Sequence, residues 1–198
     1  FGDNVFSDKG WGWYTTYWYQ QEENPFTILY GTEYRNDSLN LYLIDVTNGT
    51  SELILSESVG TTPTGTYDGN AFDIESGNFF FTTYPEQDLF VNPLNYNDPS
   101  FSAGTLNGVA ASATFHDGNF YYVDETTNDI VQVAFNSNWQ IASETVISSI
   151  PQTVTVNDIA YKSSGDYIYI VGVYQTNVQL IELTVADDSY AAITLNSN

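Results

Sequence analysis

The chain has 198 residues and a formal net charge of −22, from 25 acidic residues set against Lys9, Arg35 and Lys162. Nucleic acid and anionic membrane surfaces are thereby disfavoured as partners, because phosphate binding needs clustered Lys and Arg. Hydrophobic residues are 42% of the chain, enough for a substantial core, but no run of about 18 apolar residues is present to span a membrane, and the absence of Cys removes disulfides, thiolate metal sites and cysteine nucleophiles.

In chain order, residues 1–10 are rich in Gly and Asp without a clear period, and Trp11-Gly12-Trp13-Tyr14-Thr15-Thr16-Tyr17-Trp18-Tyr19 follows with large rings at odd and even positions. A strand of that kind must be covered on both faces. Further strands are expected at 26–30, 39–46 and 52–55, the last two joined by the hairpin signal Thr47-Asn48-Gly49-Thr50. After the Gly/Thr/Pro stretch 60–65, the cycle restarts with 70–74, 79–83, 88–91 and 101–106. A third cycle reads 110–115, 120–123, 130–135 and 141–147. A fourth reads 156–161, 167–173, 179–185 and 190–195.

One short pattern recurs through these cycles. Ser76-Gly77-Asn78-Phe79-Phe80-Phe81, Asp117-Gly118-Asn119-Phe120-Tyr121-Tyr122 and Ser164-Gly165-Asp166-Tyr167-Ile168-Tyr169 each place a Gly turn before an aromatic run. Gly and Asn tolerate positive φ, and the rings fit a pleated, buried surface. The glycines are 41 and 47 residues apart, a period characteristic of propeller blades. No segment has a capped helical period, so the chain reads as all-β. Tyr167–Val173 is apolar on both faces, as an inner blade strand must be, whereas 140–146 is largely polar, as an outermost strand can be. Both features favour a propeller over the alternative of a two-sheet β-sandwich, where every strand would alternate.

Composition also bears on location. Charged residues are 14%, below the roughly 25% of ordinary domains, with Asn, Ser, Thr and Tyr in their place. A polar, uncharged surface of this kind reads as secreted or extracellular. Asn36-Asp37-Ser38 and Asn48-Gly49-Thr50 fit the glycosylation pattern. No Met opens the chain, which reads as a cleavage product or a fragment.

Asn157-Asp158-Ile159-Ala160-Tyr161, the Ser-Ser-Gly-Asp turn, Tyr167-Ile168-Tyr169 and Val178-Gln179-Leu180-Ile181-Glu182-Leu183 resemble one blade of an NHL/YVTN-type β-propeller repeat. Leu41-Tyr42-Leu43-Ile44-Asp45-Val46 with Asn48-Gly49-Thr50 resembles the third-strand hairpin of the same repeats. The resemblance covers about residues 39–195 and implies architecture, not activity. The expected fold is thus a single all-β propeller of four blades, each of four antiparallel strands, with blades near 11–57, 66–106, 108–148 and 153–195. A monomer, half of a dimeric eight-bladed ring, and a piece of a longer propeller are all compatible with it.

The resemblance further implies that first strands line a central channel, and that ligands meet the loops entering the first strand and joining the second to the third. Superposing Gly77 on Gly165 places Asn70 opposite Asp158 and Gly69 opposite Asn157, with Ala111 in the third blade. The mouth is then expected to carry Asp68, Asn70, Asn157 and Asp158, with Glu86, Glu125, Asn128 and Tyr174 on the other loops. Asp68, Asn70, Asn157 and Asp158 offer the hard oxygens that Ca²⁺ takes six to eight at a time. The plainer reading is that Asx side chains there satisfy turn amides.

His116, the sole histidine, precedes the Asp117-Gly118 turn, away from the expected mouth, so a Ser-His-Asp triad has no support. Carboxylate pairs such as Asp73 with Asp158, or Asp68 with Glu86, could serve glycoside hydrolysis, although 25 acids will form close pairs by chance. Trp11, Trp13, Trp18 and Trp139 could stack sugar rings, and Trp139, in the polar loop 136–139, is the one expected to be exposed. The first reading is therefore a non-enzymatic extracellular propeller binding a carbohydrate or protein partner. A carbohydrate-active hydrolase and a purely structural assembly unit are the alternatives.

Overall fold

A computed structural model describes residues 13–18, 28–35, 37–59, 69–73, 75–94, 98–162, 167–186 and 189–195. These form sixteen β-strands in four separate antiparallel sheets, each built from four strands consecutive in the chain. Blade 1 holds β1 (Trp13–Trp18), β2 (Ile28–Arg35), β3 (Ser38–Asp45) and β4 (Thr50–Ser58). Blade 2 holds β5 (Asn70–Asp73), β6 (Asn78–Thr82), β7 (Asp88–Pro93) and β8 (Phe101–Thr105). Blade 3 holds β9 (Ala110–His116), β10 (Asn119–Asp124), β11 (Asp129–Phe135) and β12 (Ile141–Ser149). Blade 4 holds β13 (Val154–Lys162), β14 (Tyr167–Tyr174), β15 (Asn177–Thr184) and β16 (Ser189–Leu195). The architecture is a four-bladed β-propeller, and the alternative of two facing sheets does not occur. Among the described residues no helix is long and apolar enough to cross a membrane.

The sheets are held face to face by three apolar layers. Leu39 and Leu41 of blade 1 meet Phe72, Phe79 and Phe81 of blade 2. Phe80, Leu89 and Val91 of blade 2 meet Phe120, Tyr122, Val131 and Val133 of blade 3. Tyr121, Val123 and Ile130 of blade 3 meet Ile159, Ile168, Ile170, Ile181 and Leu183 of blade 4. Phe79, Phe80 and Phe81 are consecutive and all essentially inaccessible. Such a run is possible only because alternate residues of a strand point to opposite faces and each face has a neighbour. Burying each of these rings stabilises the fold by about 1.5–3 kcal/mol.

First strands of successive blades lie side by side around the axis, and polar side chains join them. Ser112 Oγ accepts from Ile159 N at 3.1 Å and Thr114 Oγ1 accepts from Tyr161 N at 3.4 Å. These bonds give the edge amides of β13 partners that its own sheet cannot supply. The outermost strands face water, and β12 is mostly exposed along its length.

Turns at the two ends of the blades differ in chemistry. Gly77 and Gly118, with φ of 72° and 74°, turn the first strand into the second. At the opposite end, where the second strand turns into the third, Asp37, Gln87, Asn128 and Gln175 occupy the left-handed region with φ of 58° to 62°. This conformation costs a non-Gly residue roughly 1 kcal/mol, and the blades offset it with a repeated bond. The carbonyls of Asp37, Gln87 and Asn128 accept from Val59, Leu106 and Ile150, each the buried residue that follows an outermost strand, at 3.0, 3.0 and 2.9 Å. The linker to the next blade is thus pinned to the turn it crosses.

Candidate ligand-binding face

The end of the molecule that carries these left-handed turns also carries the interblade linkers. It is the face on which the sequence placed its candidate residues. Glu86 is exposed in the β6–β7 turn, which Gln87 N closes on Thr83 O at 3.1 Å. Glu125 is exposed in the β10–β11 turn, where Asp124 Oδ1 accepts from Thr126 N at 2.8 Å and leaves the Glu125 side chain pointing to solvent. Tyr174 ends β14 and is 36% exposed, beside the exposed Gln175 and Thr176. The structure therefore gathers Glu86, Glu125 and Tyr174 at the tips of three adjacent blades.

Asn128 shares this turn region with a different task. Its Nδ2 donates to Pro151 O at 3.3 Å and Val154 O at 2.9 Å. The side chain thereby ties blade 3 to the strand that opens blade 4, and its amide is committed within the protein.

The channel residues do not come together as expected. Phe72, Phe115 and Tyr161 are matching positions, since each is next to last in its innermost strand, pairs across to Phe79, Phe120 or Ile168, and packs on the preceding blade. Three residues earlier stand Gly69, Ser112 and Asp158. Asn70 matches Ala113 and Ile159, so its expected superposition on Asp158 is wrong by one residue. Four residues separate the paired ends of β5 and β6, as of β13 and β14, but Gly77 is the last of its four and Gly165 the third, so aligning the glycines shifts the register by one residue. Asn70 lies wholly inside, and no side chain would fit at Gly69, where a Cβ would collide with Thr82 Oγ1.

Asn157 is exposed on a bulge of β13, between Val156 paired with Gly172 and Asp158 paired with Val171. Asp158 is turned inward. Its Oδ1 accepts from Ser112 Oγ at 3.1 Å and from Ile159 N at 2.8 Å. Burial pushes the Asp158 carboxyl up to about 7 against the opposing pull of these two bonds. Of the four residues expected to hold Ca²⁺, Asn70 is buried in blade 2, Asp158 is engaged with Ser112, Asn157 faces water, and Asp68 lies outside the described residues. Among the described residues no three acidic or His side chains converge as a metal site requires.

Two further expectations change. Trp139 sits in the β11–β12 turn, at the end of the blade opposite the mouth, and is folded in rather than exposed. Its ring lies 5.6 Å from Phe80, 5.7 Å from Phe135 and 6.2 Å from Phe115. Asn136 arranges this: its Oδ1 accepts from Asn138 N and Gln140 N, and Trp139 at φ 59° turns back over the core. Trp139 is therefore a packing residue, while Trp11, Trp13 and Trp18 fall where side chains are not described. The proposed Asp73–Asp158 pair is also not formed. Asp73 is in blade 2 at the Gly-turn end and accepts from Glu75 N and Ser76 Oγ, whereas Asp158 is in blade 4, four residues from the matching end of β13. Asp68–Glu86 involves a residue outside the described ones. His116 stacks on Tyr161 at 4.1 Å between centroids, again away from the mouth.

Sequence reasoning passed over Glu144. Its carboxylate accepts from Asn107 N at 3.1 and 3.2 Å and from the Tyr122 hydroxyl at 2.8 Å. Burial, then this bond, raises the Tyr122 phenol far above its ordinary range. The role is structural, clamping the linker between blades 2 and 3.

No family model matches the chain, and no curated protein matches it. Solved structures do. A chain of the nidogen/laminin complex is 12% identical with a TM-score of 0.62, over 86% of this chain and 61% of that one. TolB from Acinetobacter baumannii is 14% identical with a TM-score of 0.60, over 87% of this chain and 42% of that one. A luciferin-regenerating enzyme is 8% identical with a TM-score of 0.56, over 89% of this chain and 61% of that one. At such identities the likeness is one of fold, and it places the chain among β-propellers of which it spans about three fifths or less.

Proposed function

We propose that this chain is a non-enzymatic binding propeller that docks an extracellular protein partner on the face formed by its β2–β3, β6–β7, β10–β11 and β14–β15 turns. The observation that carries the reading is the division of side chains between the two ends. Glu86, Glu125, Thr126, Thr127, Gln175 and Thr176 are exposed on one face, while the ring expected to be available, Trp139, is spent on packing. A polar, acidic rim on rigid turns suits a partner that presents Lys and Arg. A glycan would want an exposed aromatic platform, and with Trp139 packed away this face keeps, among the described residues, one exposed ring, Tyr174 at 36%. The nidogen/laminin complex lends support as a protein complex that includes a propeller of similar fold. Secretion and a polar, Cys-free surface belong to the same reading.

The test is an immobilised-protein screen of extracellular protein fractions and a glycan array, each run at low and high salt and with and without Ca²⁺. The reading expects a protein ligand whose affinity falls steeply with salt and is indifferent to Ca²⁺. Binding confined to glycans, or abolished by chelation, would refute it.

A further inference from the structure

Each of blades 1 to 3 turns one face toward the blade after it, and each such face receives an aromatic ring from the same place. Phe72 of blade 2 lies 5.0 Å from Tyr30 of blade 1. Phe115 of blade 3 lies 4.7 Å from Phe80 of blade 2. Tyr161 of blade 4 lies 5.0 Å from Tyr121 and 4.1 Å from His116 of blade 3. The donor is always the next-to-last residue of the innermost strand.

Blade 4 has a face built to the same plan. On β14, Ile168 and Ile170 point back to blade 3 at 0% and 1% exposure, while Tyr167, Tyr169, Val171 and Val173 alternate with them and are only half-buried. Glu182, Leu180 and Val178 lie across from Tyr169, Val171 and Val173, and Val178 is 42% exposed. In register, Lys162, Tyr169 and Glu182 stand where blade 3 has His116, Tyr121 and Gln132, the group on which Tyr161 rests. Lys162 Nζ lies 5.7 and 5.6 Å from the Tyr167 and Tyr169 ring centroids. Among the described residues no further sheet covers this face. A strand apolar on both faces belongs between two layers.

We propose that the outward face of blade 4 seats a fifth four-stranded blade, whose innermost strand lays an aromatic ring on Tyr169 and Lys162. Blade 1 of a second copy is a poor occupant. Its corresponding face holds Glu33, which accepts from Tyr42 at 3.0 Å and Asn40 at 3.5 Å, while Asn40 accepts from Ser56 at 2.7 Å. Pressing that network onto Val171 and Leu180 would set a hydrogen-bonded carboxylate against aliphatic side chains that offer it no new polar partner. The similar propellers, of which this chain covers 61% in two cases, have length for more blades at 41 to 47 residues each.

The test uses the absence of Cys from the chain. Val171→Cys is placed in the 198-residue protein and in a lengthened protein that carries a second copy of residues 150–195 after residue 195. The thiol is expected to label at least about tenfold more slowly in the lengthened protein, while a Val146→Cys control on β12 labels equally in both. The appended sheet must also raise the far-ultraviolet β-signal. Unchanged labelling, or an appended sheet that fails to fold, would overturn the proposal. A 198-residue dimer in which Val171→Cys is already protected would do so too, because the occupant would then be a second copy. Independently, Tyr169→Thr with Val171→Thr, which keep strand propensity and add no charge opposite Glu182, should lower the midpoint of the 198-residue protein by less than about 4 °C. Unfolding by that pair would show the face already filled.

Discussion

Ser112 Oγ donates to Asp158 Oδ1 at 3.1 Å across the boundary between blades 3 and 4. Ile159 N is shared between them, donating to Asp158 Oδ1 at 2.8 Å and to Ser112 Oγ at 3.1 Å. Three polar groups thus close a joint between two innermost strands, and one of them titrates.

The Asp158 carboxyl, raised by burial from 3.8 to about 7, binds its proton more tightly folded than unfolded. Its contribution to stability is complete below about pH 4 and is lost as pH rises through about 7. Asp158→Asn keeps an oxygen for Ser112 and removes the titration. The variant should match the parent near pH 4 and exceed it at pH 8 by on the order of 2–4 kcal/mol, one pKa unit being about 1.4 kcal/mol. Urea melts at several pH values measure this, and parallel stability curves for the two proteins would refute it.

Trp139→Ala removes a ring packed against Phe80, Phe115 and Phe135. It should destabilise by about 2–4 kcal/mol, toward the lower end for a buried aromatic because the residue keeps some exposure. A sugar-stacking platform would instead tolerate the change within about 0.5 kcal/mol. Chemical denaturation distinguishes the two.

How much of this was legible beforehand depended on the kind of signal. The recurrent Gly-aromatic runs at Phe79, Phe120 and Tyr167 are local, and local pleat chemistry carried directly to four sheets. The offset between Asn70 and Asp158 was hidden because Gly77 and Gly165 occupy different places in turns of equal length, and a one-residue slip leaves the pattern that follows undisturbed. Trp139 was misjudged because a polar loop sequence does not disclose that Asn136 will fold the chain back on itself. The left-handed positions of Gln87 and Gln175 carry no residue signal at all. Asn128, by contrast, is of a type that visits that region readily.

Asn128 combines two roles that substitutions can separate. Asn128→Gly keeps the backbone at φ 58° but loses the bonds to Pro151 and Val154, which should cost about 1–2 kcal/mol. Asn128→Ala loses the bonds and adds left-handed strain, for roughly 1 kcal/mol more. Thermal melts should therefore rank parent above Gly above Ala. Equal midpoints for Gly and Ala would mean that the backbone relaxes.

Glu86 and Glu125 stand on different blades with side chains exposed on the same face. Neither side chain makes a bond that the fold depends on, and the Glu125 N–H bond to Val109 O survives substitution, so Glu86→Lys and Glu125→Lys should each change stability by less than about 0.5 kcal/mol. If the face docks a basic partner, each reversal should weaken binding several-fold, mainly through a slower association rate and a shallower salt dependence. The double variant should lose about the sum of the two free energies, since the residues sit on separate turns and share no partner. Titration of the captured partner at two salt concentrations gives the answer. Unaltered affinity in the double variant would place the binding surface elsewhere on the propeller.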